Sequence, residues 1–410
     1  MGLSTLYPKI YGVLDIGTSA VRALIATPNE HTWNILGWGA YPSAGIKKGN
    51  ITDWDRLYRC VQCTWDQTML HAGISQVDRI SMNIGHPSLG FELTRYNVDL
   101  RRGRVTQNDL HDLNIMLGSD LENDEQKILH TLSLQYKIDD RGPVISPIGL
   151  LGKNMQWEAL NVLTAAQPFR TKAEILSKLG LELNYPIVDM LAASKAVLTQ
   201  DECNQGVLMI DLGAGSTKWI LYKDGIPHMM KILPIGGDQL TADIALALKT
   251  SLMTAEVLKV RHGSVAAAAI VTASVRTNLT SDQKSMILDQ QALNYLNQVM
   301  TMRLEEMFSL ILGEMNSLAL TPLSATKVVL TGGLAQIYGL TALAEQVFGV
   351  PARTGVPIGL SGQAPFFQGP AAATLIGLLA WSREQDLSHS TSPLSQWKKL
   401  FSKLHYWITK

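Results

Sequence analysis

The chain has 410 residues, 46% of them hydrophobic and 17% charged, and its 35 basic residues balance 35 acidic ones. This composition supports more than one buried core and excludes a disordered or fibrous chain. The balanced charge supplies no general field for a polyanion, so no nucleic-acid partner is expected.

The N-terminus, MGLSTLYPKIYG, has no basic segment followed by an apolar one, and Leu6 stands where an N-myristoylation pattern requires Ser or Thr. Neither a secretory signal nor that lipid anchor is expected. Apolar residues 12–14 then meet Asp15, Gly17, Thr18 and Ser19 before a second apolar run at 21–26. This reads as a hairpin whose tip of small residues leaves backbone amides uncovered. The stretch WDRLYRCVQCTWDQTMLHAG has helical character. Cys60 and Cys63 within it lack the second pair that would complete a zinc site, and three cysteines in the whole chain are too few for a disulfide framework. Next, Ile128, Leu132, Leu134, Tyr136 and Ile138 alternate with Thr131, Ser133, Gln135 and Lys137, predicting a half-buried strand with its apolar residues on one face. Residues 157–166 form a second apolar strand, and PFRTKAEILSKLG a helix ending at Gly180. These elements predict a small α+β unit.

The segment GVLMIDLGAGSTKWILYKDG, at 206–225, repeats the first hairpin: apolar strand, Asp211, the small residues Gly213, Ala214, Gly215 and Ser216, then a returning strand. The two aspartates lie 196 positions apart, which suits one copy in each of two related lobes. Two further glycine turns follow strands: Gly236-Gly237-Asp238 ahead of a helix with Leu240, Ile244 and Leu248, and Gly332-Gly333 after the strand at 328–330. Glycines at such junctions let backbone N–H groups face an anion, and four together suit one polyphosphate. Each turn alone is also explained as an ordinary strand-to-turn junction; the ordered set is what favours a nucleotide. No G-x-x-x-x-G-K-[ST] occurs, and Lys218 stands where the dinucleotide pattern needs its third small residue. Asp15 and Asp211, brought together from two lobes, would repel each other unless Mg²⁺ and phosphates lay between them.

The apolar stretch 370–381 is too short to span a bilayer and reads as a core helix. After it, SREQDLSHSTSP is polar and without pattern. In SQWKKLFSKLHYWITK, Trp397, Leu400, Phe401, Leu404, Trp407 and Ile408 fall on one helical face flanked by Lys398, Lys399, Lys403 and Lys410. This is the composition of an interfacial membrane helix; the alternative is a terminal helix docked on its own domain. One such tail binds reversibly, and a polymer carrying many binds avidly.

With DIGTS as a first phosphate hairpin, DLGAGST as a second and LTGGLAQIYGL as an adenosine turn, the sequence resembles the actin-type ATPase superfamily. The stretches GIKKGNITD, VTQNDLHDL, KILHTLSLQYKIDDRGPVISPIGLLG, LAASKAVLTQDE, GGDQLTADIALALKTSLMTAEVLKVRHG and VVLTGGLAQIYGLTALAEQVFGVPARTGVP resemble, within it, the FtsA family of bacterial cell-division actin homologues. The resemblance implies an α/β, two-lobed actin-like (ribonuclease H-like) ATPase fold with an inserted FtsA-type subdomain. The first lobe would take residues 1–84 and 167–200, the insertion 85–166, the second lobe's core 201–237 and 326–384, and its outer subdomain 238–325. A linker at 385–394 and an amphipathic helix at 395–410 would follow.

Carried over by position, Gly17, Thr18, Ser19, Gly213, Ala214, Gly215 and Ser216 would contact the phosphates of ATP, with Asp15 and Asp211 on the Mg²⁺ side. Gly236 and Gly237 would close over the phosphates, Glu256 and Lys259 would lie near ribose and base, and Gly332, Gly333 and Leu334 would back the adenosine. A solvated i, i+3 charge pair is the other reading of Glu256 and Lys259. Two departures stand out: Ala20 where relatives often carry Lys, and Lys218 where they often carry Asp. Lys218 could hold the γ-phosphate in place of the missing ammonium while a water-orienting carboxylate is lost, so slow or absent hydrolysis is expected. The resemblance further implies self-assembly into a filament and contact with inner-membrane lipid at the cytoplasmic face of the division site. It implies recruitment of later division proteins and binding of the FtsZ C-terminal peptide near a helix at 287–312, with Lys284 and Arg303 as the nearby basic residues. A metabolite kinase of the same superfold is the alternative, with Asp189 as its base.

Overall fold

The computed structural model describes residues 9–29, 32–139, 141–144, 146–265, 275–277, 286–288, 290–317, 325–358 and 365–391. The described residues fall into two compact units, one within Met1–Lys195, Ile226–Lys231 and Thr374–Lys410, the other within Ala196–Gly225 and Ile232–Ala373.

The first unit is built on a five-stranded sheet in the order Leu183–Val188, Arg79–Ile84, Tyr11–Ile16, Ala20–Pro28, Trp33–Pro42. Tyr11–Ile16 pairs antiparallel with Ala20–Pro28 and parallel with Arg79–Ile84. All six residues of Tyr11–Ile16 are buried, which is why the strand reads as a continuous apolar run rather than an alternation. The helix Trp54–Ala72 starts on an Asp53 cap that accepts from the Arg56 N–H at 3.0 Å and ends at Gly73 with φ 62°. Cys60 is buried in it and Cys63 exposed, both as free thiols.

A second five-stranded sheet repeats the plan, in the order Ile226–Leu233, Thr217–Lys223, Val207–Leu212, Lys327–Thr331, Ala352–Thr354; its four strands from Thr217–Lys223 onward lie in the second unit, while most of its edge strand Ile226–Leu233 is grouped with the first. An antiparallel hairpin is again followed by parallel strands, so the duplication expected from the twin Asp-x-Gly turns is present as topology. The helix Gln290–Ser317 buries Leu293, Leu296, Met300, Leu304, Met307, Phe308, Ile311 and Met315 at helical spacing.

Within the first unit, Gly90–Asp99, Asn154–Ala165 and Gln126–Ile138 form a separate three-stranded sheet in that order, covered by the helix Gln107–Leu121. Thr106 and Asp109 close that helix's N-terminus as a capping box. Its core comprises Leu113 and Leu117 from the helix with Tyr136, Ile138, Met155 and Trp157 from the sheet. The expected single apolar face on Gln126–Ile138 does not hold. Register shifts between Ile128 and His130 and between Ser133 and Gln135 each insert one residue, and each turns the following side chains to the other face. Leu132 therefore pairs with Leu160, while Tyr136 pairs with Trp157. The helix expected to end at Gly180 spans Ala166–Lys178.

The end of the chain also departs from expectation. Residues 374–384 belong to the first unit rather than the second, and positions 385–391, expected as linker, continue the helix Ala373–Thr391. Ser382 and Ser81 hydroxyls are 2.5 Å apart, and the Trp381 indole donates to the Leu191 carbonyl at 3.1 Å. Asp386 accepts from Lys9, Tyr11, Arg79 and Tyr185 at 2.7–3.2 Å, which fixes a polar segment that periodicity alone leaves without a partner. The boundary before the second unit falls after Lys195, not at 200. Among the described residues no helix is long and apolar enough to cross a membrane.

Candidate functional site

In the first unit, the hairpin tip is a tight turn closed by Gly17 N–H donating to the Ala20 carbonyl at 3.1 Å. Ile16 pairs with Val21 and Asp15 with Arg22. Directly opposed residues on antiparallel strands share a face, and the Arg22 guanidinium lies 3.6 Å from the buried Asp15 carboxylate. The Ile16 N–H donates to the Asn83 side chain at 2.7 Å, locking this strand end to Arg79–Ile84.

The second unit's hairpin has the same geometry. Gly213 N–H donates to the Ser216 carbonyl at 3.1 Å, Leu212 pairs with Thr217, and Asp211 pairs with Lys218, whose ammonium is 3.6 Å from the buried Asp211 carboxylate. Among the described residues, the N–H groups of Thr18, Ser19, Ala214 and Gly215 have no hydrogen-bond partner, and neither has the fully buried Thr217 hydroxyl. Unpaired amides on a concave turn suit phosphate oxygens.

Within this unit the other expected turns converge on the hairpin. Gly237 N–H donates to the Gly213 carbonyl at 3.0 Å and Asp238 N–H to the Ala214 carbonyl at 2.8 Å. A Cβ on Gly236 would come within 2.6 Å of both carbonyls, so only glycine permits this approach. The third turn closes on the same spot: Gly332 has φ 86°, and a Cβ there would lie 2.8 Å from the Leu212 amide. Leu334 reaches Gly237, where a Cβ would meet its Cδ2 at 3.3 Å. Gly333 follows Gly332 as the first residue of the short 3-10 helix Gly333–Gln336.

The role expected of Gly236 and Gly237 changes in detail. Their N–H groups are engaged inside the chain, Gly236 with the Gln239 side chain at 3.0 Å and Gly237 with the hairpin. These glycines bring two turns together and do not offer open amides. Glu256 and Lys259 are not a solvated surface pair either. Lys259 is buried and donates to the Gly237 carbonyl at 3.1 Å and to the Thr241 hydroxyl at 2.9 Å, with Glu256 at 2.6 Å. It fixes the start of the helix Gly237–Ala247 from the helix Leu252–His262, while the Glu256 carboxylate remains half-exposed beside it.

Of the remaining expected residues, Arg303 is held by Asp243 at 2.5 and 3.0 Å and also by Glu306, so its guanidinium is satisfied within its own unit. The helix that carries it, Gln290–Ser317, replaces the expected 287–312. Asp189 is 2% exposed and accepts from the Met190 N–H at 2.9 Å, a buried helix start rather than an accessible base. Lys284 and the tail residues Trp397, Lys398, Lys399, Leu400, Phe401, Lys403, Leu404, Trp407 and Ile408 lie outside the described residues. Sequence reasoning missed Arg22. The signal was available: Asp15, Gly17 and Arg22 recur at the same offset as Asp211, Gly213 and Lys218.

Comparison with known proteins agrees with this plan. Residues 208–377 match the family model for cell division protein FtsA, and residues 89–163 match that for the SHS2 domain inserted in FtsA. Among curated relatives, cell division protein FtsA of Escherichia coli K12 is 30% identical, over 98% of both chains. FtsA of Pseudomonas aeruginosa is 29% identical, over 91% of this chain and 89% of its own. Among solved structures, a PilM–PilN type IV pilus biogenesis complex aligns with TM-score 0.64 at 16% identity, over 92% of this chain and 98% of that one. MreB 5 of Spiroplasma citri bound to AMPPNP aligns with TM-score 0.53 at 12% identity, over 93% and 99%. These two structures establish an actin-like fold. The near end-to-end match to curated relatives, together with the inserted SHS2 domain, establishes that the chain belongs to the FtsA family of cell division proteins.

Proposed function

We propose that the chain binds ATP, assembles with itself, and tethers an FtsZ ring to the cytoplasmic face of the inner membrane at the division site, where later division proteins join it. The observation that carries this reading is the match to cell division protein FtsA over 98% of both chains, which leaves little of either sequence unaccounted for. ATP is the nucleotide favoured by the actin-like fold and by the AMPPNP seen in the MreB 5 structure. On this reading the amides of Thr18, Ser19, Ala214 and Gly215 take phosphate oxygens, with Gly17, Gly213 and Ser216 shaping the turns. Gly332, Gly333, Leu334 and Glu256 line the adenosine side. Asp15 and Asp211 stand on the metal side. A bound nucleotide supplies the anionic charge these turns are built to receive.

Hydrolysis is slow or absent, because Lys218 occupies the strand position from which a carboxylate would orient water. Brisk ATP turnover that is lost on changing Asp211 would overturn this part. The membrane contact falls to the segment 395–410 through Trp397, Leu400, Phe401, Leu404, Trp407 and Ile408, with the lysines on an anionic leaflet. The test is flotation of the full chain with anionic vesicles in the presence of ATP and an FtsZ C-terminal peptide. Wild type should float and carry the peptide, whereas Trp407→Glu or deletion from Ser395 should stay in solution. Undiminished flotation of both variants would sink the tether.

A further inference from the structure

The inserted SHS2 domain ends in loops whose chemistry the nucleotide site does not use. The strands Gly90–Asp99 and Gln126–Ile138 finish, and Asn154–Ala165 begins, at one end of the three-stranded sheet, so residues 99–105 and 139–153 meet there. Backbone hydrogen bonds zip them together. The Lys153 carbonyl accepts from the Leu100 N–H at 2.6 Å, the Leu150 carbonyl from the Val105 N–H at 2.9 Å, and the Gly103 carbonyl from the Gly152 N–H at 3.1 Å. Gly103 at φ 62° and Gly149 at φ 88° supply the turns.

These loops carry five cations against three aspartates, in a chain whose total charge is zero. Arg141 is used within the frame: it lies 3.5 Å from Asp139 and donates to the Leu151 carbonyl. Asp139 also accepts from the Lys153 and Asn154 N–H groups at 2.9 Å, so that carboxylate is committed to the loops. Arg101, Arg102, Arg104 and Lys153 are exposed and form no ion pair among the described residues. Beside them two large aliphatic side chains stand in water, Ile148 50% and Leu151 59% exposed. Arg104 and Leu151 are bridge partners on opposed segments, which puts their side chains on one side.

The combination selects the partner. An anionic lipid surface uses both kinds of side chain, with cations at the headgroup phosphates and aliphatic groups in the boundary beneath. Energetic anchors at protein interfaces are enriched in Trp and Tyr, and residues 99–105 and 139–153 contain no aromatic residue.

We infer that this end of the SHS2 domain is a second membrane contact, which takes anionic phospholipid through Arg101, Arg102, Arg104 and Lys153 and seats Ile148 and Leu151 at headgroup level. The inference rests on the membrane reading above and adds to it. The helix Ala373–Thr391, which precedes the tail, belongs to the same compact unit, so tethering by the tail raises the concentration of lipid at the loops. Two aliphatic side chains bury too little to hold the chain alone, and the loops add affinity once the tail is bound.

The test is sedimentation of the full chain with mixed phosphatidylglycerol–phosphatidylcholine vesicles, and with phosphatidylcholine alone. Arg101→Gln, Arg102→Gln and Arg104→Gln combined should weaken binding to the anionic vesicles about tenfold or more. Lysine at the same three positions should bind as wild type, because point charges suffice at a lipid surface. Ile148→Ser with Leu151→Ser should cost about threefold or more. Amide exchange at 101–104 and 148–152 should slow when anionic vesicles are added, a readout at the loops that tail binding alone would not move. Unfolding midpoints and the lysine variant separate loss of charge from loss of fold. Wild-type affinity in the glutamine and serine variants, with unchanged exchange at the loops, would overturn the inference, leave the tail as the tether and return the loops to an acidic protein partner. No binding of wild type to either vesicle would remove the membrane reading and the inference with it.

Discussion

Changing Asp386 to alanine should destabilise the first unit by several kcal/mol. The carboxylate, 8% exposed, accepts from Tyr185 at 2.7 Å, Tyr11 at 2.9 Å, Lys9 at 3.0 Å and Arg79 at 3.2 Å. Although burial opposes its charge, the two phenols and two cations hold its pKa below the ordinary carboxylate value. Hydrogen bonds to a charged group contribute roughly 1.5–3 kcal/mol each, so the two phenols account for about 3–6 kcal/mol. Lys9 and Arg79 are half-open to water and add at most about 1 kcal/mol together. Truncation therefore costs about 4 kcal/mol, and Asp386→Asn, which keeps one acceptor and the volume, about half of that. Denaturation followed by tryptophan fluorescence reports on this region, since Trp33 packs edge-on against Tyr11 with ring centroids 5.5 Å apart. A loss under about 1 kcal/mol for alanine, or equal losses for alanine and asparagine, would refute the role assigned to the carboxylate.

His130 should make the fold sensitive to mild acid. Its Nε2 accepts from the Val188 N–H at 3.1 Å, and burial lowers its pKa from 6.5 to about 4. Between those values the unfolded chain binds a proton that the folded chain does not, so stability falls as pH drops through that window, by on the order of 3 kcal/mol, and His130→Gln should flatten the slope. Lys259→Met should loosen the start of the helix Gly237–Ala247 by about 2 kcal/mol and weaken nucleotide binding, read by amide exchange at 237–241 and by titration; unchanged exchange would show that the tie is redundant. Gly236→Val should disrupt the junction between two turns and cost about 3 kcal/mol or more, because its Cβ would overlap two carbonyls; a stable variant with normal binding would contradict the close approach.

Much of the fold is legible in local pattern. Tyr11–Ile16 and Val207–Leu212 announce themselves as doubly buried strands, and Asp15 and Asp211 mark where each ends. What pattern could not supply was position across space. The two bulges in Gln126–Ile138 leave no compositional trace, so an unbroken alternation was expected where the strand changes face twice. The segment after Trp381 looked unstructured because it has no apolar period, and its order comes from one carboxylate meeting four donors from distant parts of the chain. At the candidate site, glycine content was legible but its use was not. Gly236 and Gly237 serve turn-to-turn packing, while Thr18, Ser19, Ala214 and Gly215 keep their amides unpaired among the described residues. Arg22 was overlooked because it lies one strand away from the motif in sequence and opposite its aspartate only after pairing.

The glycine turns of the second unit should bind an adenine nucleotide. Titration of the full chain with ATP should give saturable heat, and Gly332→Val, whose side chain would enter the space beside the Leu212 amide, should abolish it without unfolding the first unit. Equal binding by Gly332→Val and wild type, or no heat from wild type at any nucleotide concentration, would contradict it.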